Sequence, residues 1–277
     1  MGGMESPFPP FAPGRPDNIE AQAAPRIPVR QIVPNLITIL AICAGMTGIR
    51  LAFEGRIELA VGLVIGAAVL DGVDGRVARY LKGQSRFGAE MDSLADIVNF
   101  GIAPALVLYA HIIHNAGAIG WICVLLYASG CALRLARFNT MLDDPNRPKW
   151  HSNFFVGVPA PAGAGLAMLP AYLSFTGIDL DAPVLTATLT GLYLLAVGLL
   201  MASRLPTFSG KGDNWRVRRD WAIPVILAVV LYVALLVSFL WETLTVTAFV
   251  YMATIPFSMR AFARRAKADL QAEAGTA

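Results

Sequence analysis

Charge is scarce in this sequence: 15% of its 277 residues are Asp, Glu, Lys or Arg, against 56% hydrophobic. One soluble core of this length does not need so much apolar side chain, which excludes an ordinary soluble domain and argues for an integral membrane protein. Cysteine and histidine are equally sparse, three of each. Cys43, Cys123 and Cys131 fall inside apolar stretches with neither metal-ligand spacing nor an even count. That excludes a disulfide framework and leaves packing roles. His111 and His114, spaced i, i+3, lie far from the acidic residues described below and carry no metal signature of their own. The net charge of +3 is no nucleic-acid footprint; no nucleic-acid partner is expected. Neither a cleavable signal peptide nor a repeat with a period of roughly 20 to 50 residues is visible.

What is present is length in apolar runs. Eight stretches near residues 35–53, 58–81, 88–113, 118–141, 156–175, 182–203, 222–240 and 242–260 are long enough to cross a membrane as helices, satisfying their own backbone in a hydrocarbon core about 30 Å thick. The predicted fold class is all-α, a polytopic membrane helix bundle. Threading eight spans puts 20 of the 22 basic residues on one side, with only Arg50 and Arg56 opposite. Positive charge is retained in the cytoplasm, so both termini are expected there, in the cytoplasmic (inner) membrane if the protein is bacterial.

Residues 1–25, rich in Pro, Gly and Ala, read as a disordered tail. Residues 26–208 read as the membrane domain, with RIPVRQIVPNLIT at its start either a short interfacial helix or a linker. Polar residues 209–221 separate six spans from a C-terminal hairpin, 222–265, and 266–277 form a fraying tail. GLVIG at 62–66 is a GxxxG, most simply read as close helix packing. Trp121, Trp221 and Trp241 fit interfacial belts.

Against this background the stretch DGVDGRVARYLKGQSRFGAEMDSLAD, residues 71–96, stands out. Asp71 and Asp74 share a face of the second span; Asp92 and Asp96 share a face of the third. The two spans are joined at the cytoplasmic side, so the four acids can converge at one depth. Ionised acids in a membrane interior are costly and mutually repelling unless cations neutralise them. All-oxygen ligation favours Mg²⁺, Mn²⁺ or Ca²⁺, and four carboxylates suffice for two ions of the kind used in phosphoryl displacement. Gly75 and Ala78 extend one stripe from Asp71, and Gly88 precedes Asp92 by a turn, leaving room for a ligand to approach backbone. Arg79 and Arg86 can offer charge to a phosphate. The alternative is an interfacial ion network with small residues serving only helix packing.

Asp71, Asp74, Gly75, Ala78, Arg79, Gly88, Asp92 and Asp96 match the pattern D-x2-D-G-x2-A-R-x8-G-x3-D-x3-D without a gap, and on these residues the chain resembles the CDP-alcohol phosphotransferase family. The resemblance covers roughly residues 30–205. It implies a six-helix membrane fold, usually homodimeric, with two divalent cations on Asp71, Asp74, Asp92 and Asp96, and Asp96 as general base. It also implies that a CDP-linked lipid contacts Gly75, Ala78, Arg79 and Ser85, with Asn35 and Thr38 lining the nucleotide pocket; capping near Asn35 would explain those two as well. PNLIT at 34–38, MDSLADIVNFGIAPA at 91–105, RLARFN at 134–139 and FVGVPAPAGA at 155–164 resemble members whose substrates are CDP-diacylglycerol and L-serine. The last two spans depart from a six-helix pattern.

Serine carries a carboxylate, so a cationic partner is expected: Arg134 and Arg137, three apart on one face, with Asn139 behind them. Positive-inside anchoring or lipid contact is the alternative for this pair. The same chemistry with glycerol 3-phosphate, inositol phosphate or choline as acceptor stays open. A cation transporter, which would favour midplane acids in repeated halves, and a noncatalytic scaffold are the readings from other classes.

Overall fold

Residues 29–142, 154–178, 182–203, 205–208 and 219–274 are described by a computed structural model; the expectations for the N-terminal tail, residues 209–218 and the last three residues lie outside them. The chain forms α1 (Val29–Phe53), α2 (Ile57–Tyr80) and α3 (Arg86–Asp96), then a π-helical turn (Ile97–Ile102) running directly into α4 (Ala103–His111). A 3₁₀ turn (Ile113–Ala116) leads into α5 (Gly117–Leu142). After β1 (Phe154–Val156) come α6 (Ala160–Ala167), α7 (Leu169–Phe175) and α8 (Pro183–Ala202), then β2 (Pro206–Phe208), α9 (Arg219–Ser238) and α10 (Leu240–Ala274).

Helix therefore occupies all eight apolar stretches, and among the described residues five helical segments are long and apolar enough to cross a membrane: Arg30–Phe53, Arg86–His111, Ile113–Met141, Pro183–Ala202 and Trp221–Ser238. The chain is in this sense a multi-pass membrane protein. α2 misses that measure through its charged residues, the α6–α7 segment because Ala160 to Phe175 is too short even with its break at Met168 ignored, and α10 through a threonine-rich apolar half. α1 begins at Val29 and is continuous through Pro34, so Asn35 lies inside the helix and caps nothing, and no separate interfacial helix precedes the span from that point on.

Proline sets much of the internal detail. A proline at position i offers no N–H to the carbonyl at i−4, and in a membrane that carbonyl must find another partner. Pro104 leaves the Phe100 carbonyl without its helical donor, and the buried Tyr127 hydroxyl donates to it at 2.8 Å. Pro170, in the first turn of α7, frees the Leu166 carbonyl, and the Tyr193 hydroxyl donates there at 2.8 Å. Pro34 frees the Arg30 carbonyl, and Gly83, after α2, packs on it so closely that a Cβ would overlap that oxygen.

The core lies among α2, α4, α5, α6, α7 and α8, around Phe100, Leu108, Tyr127, Leu194 and Met201. α5 and α8 touch backbone to backbone at Gly130 and Gly198, where either Cβ would collide with main chain or Tyr127. β1 and β2 form an antiparallel clasp, Phe155 opposite Thr207, closed by the Thr207 hydroxyl donating to the Gly157 carbonyl at 2.8 Å. Trp241, read from the sequence as an interfacial residue, instead packs α10 onto α7 through Phe175 and Tyr172, ring centroids 4.6 and 6.3 Å away. α9 has no buried residue in its apolar window. The GxxxG at Gly62 and Gly66 meets nothing within 4 Å, so within the described residues it packs no helix. Cys123 and Cys131 are buried as expected of packing residues, but Cys43 is exposed.

Candidate active site

α2 and α3 meet through the short connection 81–85, where Lys82 takes a left-handed φ of 49° and Ser85 caps α3, its hydroxyl accepting from the Gly88 N–H at 3.0 Å. This turn brings the acidic faces together. One carboxylate oxygen from each of Asp71, Asp74 and Asp92 lies within 4.8 Å of the others. Asp96 lies against Asp71 and also faces Arg134. The Thr38 hydroxyl, from α1, sits 2.6 Å from Asp74 Oδ2. Asp74 is only 2% exposed, and the Oδ1 atoms of both Asp71 and Asp74 are buried without a hydrogen-bond partner.

Like charges this close repel by roughly 3 to 4 kcal/mol per pair at an effective dielectric of about 20. Enclosed acceptor oxygens with no donor, on carboxylates this close together, are what a hard cation relieves. The donor set thus fits a divalent metal site built on Asp71, Asp74 and Asp92, with Asp96 adjoining it.

Above the acids opens a cleft of about 290 Å³, lined by Asn35 and Thr38 of α1, Asp74, Gly75, Ala78 and Arg79 of α2, and Ser85, Gly88 and Asp92 beyond the turn. A Cβ placed on Gly75 would meet nothing within 4 Å, so its smallness serves the empty cleft and not helix packing. Gly88 differs: a Cβ there would come within 2.9 Å of Asn35 Oδ1, so this glycine lets Asn35 into the wall. Arg86 is exposed and does not line the cleft, whereas Arg79 does. An apolar groove of about 320 Å³ adjoins it, sharing Asn35 and Ser85 and continuing along Ile32, Leu36, Ile39 and Phe87. A polar head with apolar tails would find both halves of its chemistry side by side.

The residues expected for acceptor recognition separate. Arg134 is buried, 7% exposed, and faces Asp96. Arg137 is committed elsewhere: its Nη1 donates to the carbonyls of Ala202 and Ser203 at 2.7 and 3.2 Å, finishing α8. Asn139 is exposed and donates to the Ser93 hydroxyl at 3.0 Å. His111 is 2.8 Å from the Ser174 hydroxyl and His114 is 3.2 Å from the Tyr109 carbonyl, and the two line one cavity with Tyr109.

Two features escaped the sequence reading. Gln84 and Gly83 line the cleft, and the missing Pro34 N–H was the available signal for Gly83. Asn99 is fully buried in the π turn just after Asp96, with neither amide atom partnered; an amide in the middle of an apolar run was its signal.

The family model described as CDP-alcohol phosphatidyltransferase matches residues 31–202, and a second, CDP-alcohol phosphatidyltransferase 2, matches residues 220–256 across α9 and the apolar half of α10. Proteins named CDP-diacylglycerol–serine O-phosphatidyltransferase are similar over most of the chain. That of Mycobacterium leprae is 41% identical over 83% of this chain and 75% of its own length. That of Mycobacterium tuberculosis (strain H37Rv) is 42% identical over 83% and 79%, and that of Helicobacter pylori (strain 26695) 36% over 72% and 81%. With the acidic cluster, the open glycine stripe and these matches together, the chain belongs to the CDP-alcohol phosphatidyltransferase family.

Proposed function

We propose that this enzyme transfers the phosphatidyl group of CDP-diacylglycerol to the hydroxyl of L-serine, giving phosphatidylserine and CMP in phospholipid biosynthesis. The observation that carries it is the convergence of Asp71, Asp74 and Asp92 beneath a cleft whose wall is open at Gly75, in a chain whose similar relatives are named for this reaction.

The nucleotide lies along Gly75 and Ala78, where the absent side chains leave backbone within reach, and Arg79 and Ser85 flank the diphosphate. The acyl tails follow the groove of Ile32, Leu36, Ile39 and Phe87 into lipid. Asp71, Asp74, Asp92 and Asp96 would hold two divalent cations, Mg²⁺, Mn²⁺ or Ca²⁺, which would supply positive charge to the diphosphate when bound. Asp96 accepts the serine hydroxyl proton as the oxygen forms its bond to the phosphorus carrying diacylglycerol. The bond from that phosphorus to the CMP oxygen breaks, and CMP leaves with the electron pair. Arg134, facing Asp96, pairs with the serine carboxylate. Transfer is direct, which the absence of a Ser-His or Cys-His pair beside the acids supports among the described residues. The distribution of Lys and Arg supports eight crossings with the site and both termini cytoplasmic, and the bare α9 supports a homodimer surface there.

The test is CMP release by the purified protein from CDP-diacylglycerol with L-serine, glycerol 3-phosphate, inositol phosphate and choline in turn. Serine is expected to exceed the others by at least tenfold in kcat/KM. Faster turnover with glycerol 3-phosphate would overturn the acceptor assignment.

A further inference from the structure

We infer that Arg30, Lys82 and Arg86, at the corner where the turn after α2 meets the start of α1, form a head-group site for an anionic phospholipid of the surrounding leaflet. This site lies beside the cleft and takes a lipid other than the substrate. The inference concerns binding alone and stands whichever alcohol the enzyme uses as acceptor.

Three outward-facing apolar stripes end in a cation. On α1, Val33, Leu36 and Leu40 are exposed, and exposed Arg30 precedes Val33 by one turn. On α2, exposed Val69 and Val73 lead to Arg76 and Tyr80, both exposed. On α3, Phe87 and Leu94 stand outward a heptad apart, and exposed Arg86 adjoins Phe87. Apolar surface that gives way to arginine and an aromatic ring marks the passage from hydrocarbon to head groups.

Backbone packing gathers the charges at one corner. Gly83 lies on the Arg30 carbonyl with no room for a Cβ, which sets its neighbour Lys82 beside the start of α1. The apolar groove between α1 and α3 has Gln31, Asn35 and Ser85 at this end. Arg30 directly precedes Gln31, and Arg86 directly follows Ser85, so a cation stands on each wall of its mouth. Lys82 is exposed as well, and it holds a left-handed φ of 49° that glycine adopts with less strain. Among the described residues the ion pair present is Arg50 with Glu54; Glu90, one turn along α3 from Arg86, does not close on it. Three unpaired cations together repel one another and match a phosphodiester that carries no ammonium of its own, its acyl chains lying along the apolar stripes. Topology asks only for positive charge on this side of the membrane, not for three charges around one groove mouth.

The experiment gives full-length protein in neutral detergent equal amounts of phosphatidylglycerol and phosphatidylcholine with the same acyl chains, and native mass spectrometry reads which lipid stays bound. The unsubstituted protein is expected to retain phosphatidylglycerol about tenfold over phosphatidylcholine. Arg86→Gln and Lys82→Gly should each lower that preference about threefold, and the triple variant with Arg30→Gln should abolish it. Lys82→Gly removes the charge while easing the backbone, so its loss of lipid is not a loss of fold. Arg260 is the control, an exposed cation on α10, which packs on α7 and β2. Arg260→Gln is expected to change nothing; a drop equal to that of Arg86→Gln would mean diffuse surface charge and overturn the site. Equal retention of the two lipids would overturn it as well. Millimolar inorganic phosphate should leave the bound lipid in place, and displacement by it would assign the corner to free phosphate and overturn the lipid reading.

Discussion

Thr38 sits within 2.6 Å of Asp74 Oδ2 and 3.1 Å of the Pro34 carbonyl. It has one proton for the two, and the shorter contact, to a carboxylate, is the stronger claim on it. That single bond fixes which oxygen of Asp74 is spent on the protein and which, the unpartnered Oδ1, is left for a cation. Replacing Thr38 by valine keeps the shape and removes the proton. A hydrogen bond to a charged group contributes about 1.5–3 kcal/mol, or roughly one to two factors of ten. We expect Thr38→Val to raise the Mn²⁺ or Mg²⁺ concentration for half-maximal activity at least tenfold while leaving turnover at saturating metal within about threefold. A metal titration of CMP release checks it; an unchanged midpoint would remove Thr38 from the site. Asp74 was legible from spacing alone, but the state of its two oxygens was not. That depends on a residue 36 positions away.

At the scale of one element, α2 carries opposing demands. Gly75 is a poor choice for helix interior, by about 1 kcal/mol against alanine, and nothing packs where its Cβ would be. Gly75→Ala should therefore raise the unfolding midpoint slightly while narrowing the cleft, with the KM for CDP-diacylglycerol rising several-fold. Thermal unfolding and initial rates on one preparation would show the two effects moving oppositely; a loss of stability would mean the glycine serves packing after all. The prolines give an element-scale prediction of the other sign. Tyr127→Phe and Tyr193→Phe each strand a buried carbonyl that a proline has already deprived of its helical donor, and each should lower stability by about 1–3 kcal/mol, read as a reduced midpoint in a denaturant series. Apolar run length announced the helices well, because crossing lipid leaves few alternatives. It did not announce the π turn after Asp96 or the break between α6 and α7. Those features depend on which distant tyrosine answers a carbonyl, and that is a tertiary fact.

For the whole molecule, the acidic motif could be read from 26 consecutive residues because its partners are local in sequence, on two helices joined by a short turn. The seat of α10 could not be read, since Trp241 meets Tyr172 and Phe175 from more than sixty residues away. The same distinction governs topology. Gln84, in the turn before the continuous Arg86–His111 segment, and Asn115, just after it, stand at its two ends. At 1.5 Å per residue, that segment is about 39 Å long, more than the hydrocarbon thickness. Positive charge crowds the Gln84 end, with Arg76, Arg79, Lys82 and Arg86 around it, whereas only Arg50 and Arg56 fall on the Asn115 side. Introduced singly into a chain with Cys43, Cys123 and Cys131 replaced by alanine or serine, Gln84→Cys and Asn115→Cys should label from opposite sides. In bacterial spheroplasts an impermeant maleimide is expected to reach Asn115→Cys in intact membranes and Gln84→Cys only after permeabilisation. Labelling of both from outside would reverse or break the proposed threading, and would place the diphosphate cleft away from the compartment where CDP-linked lipid and serine are expected to meet.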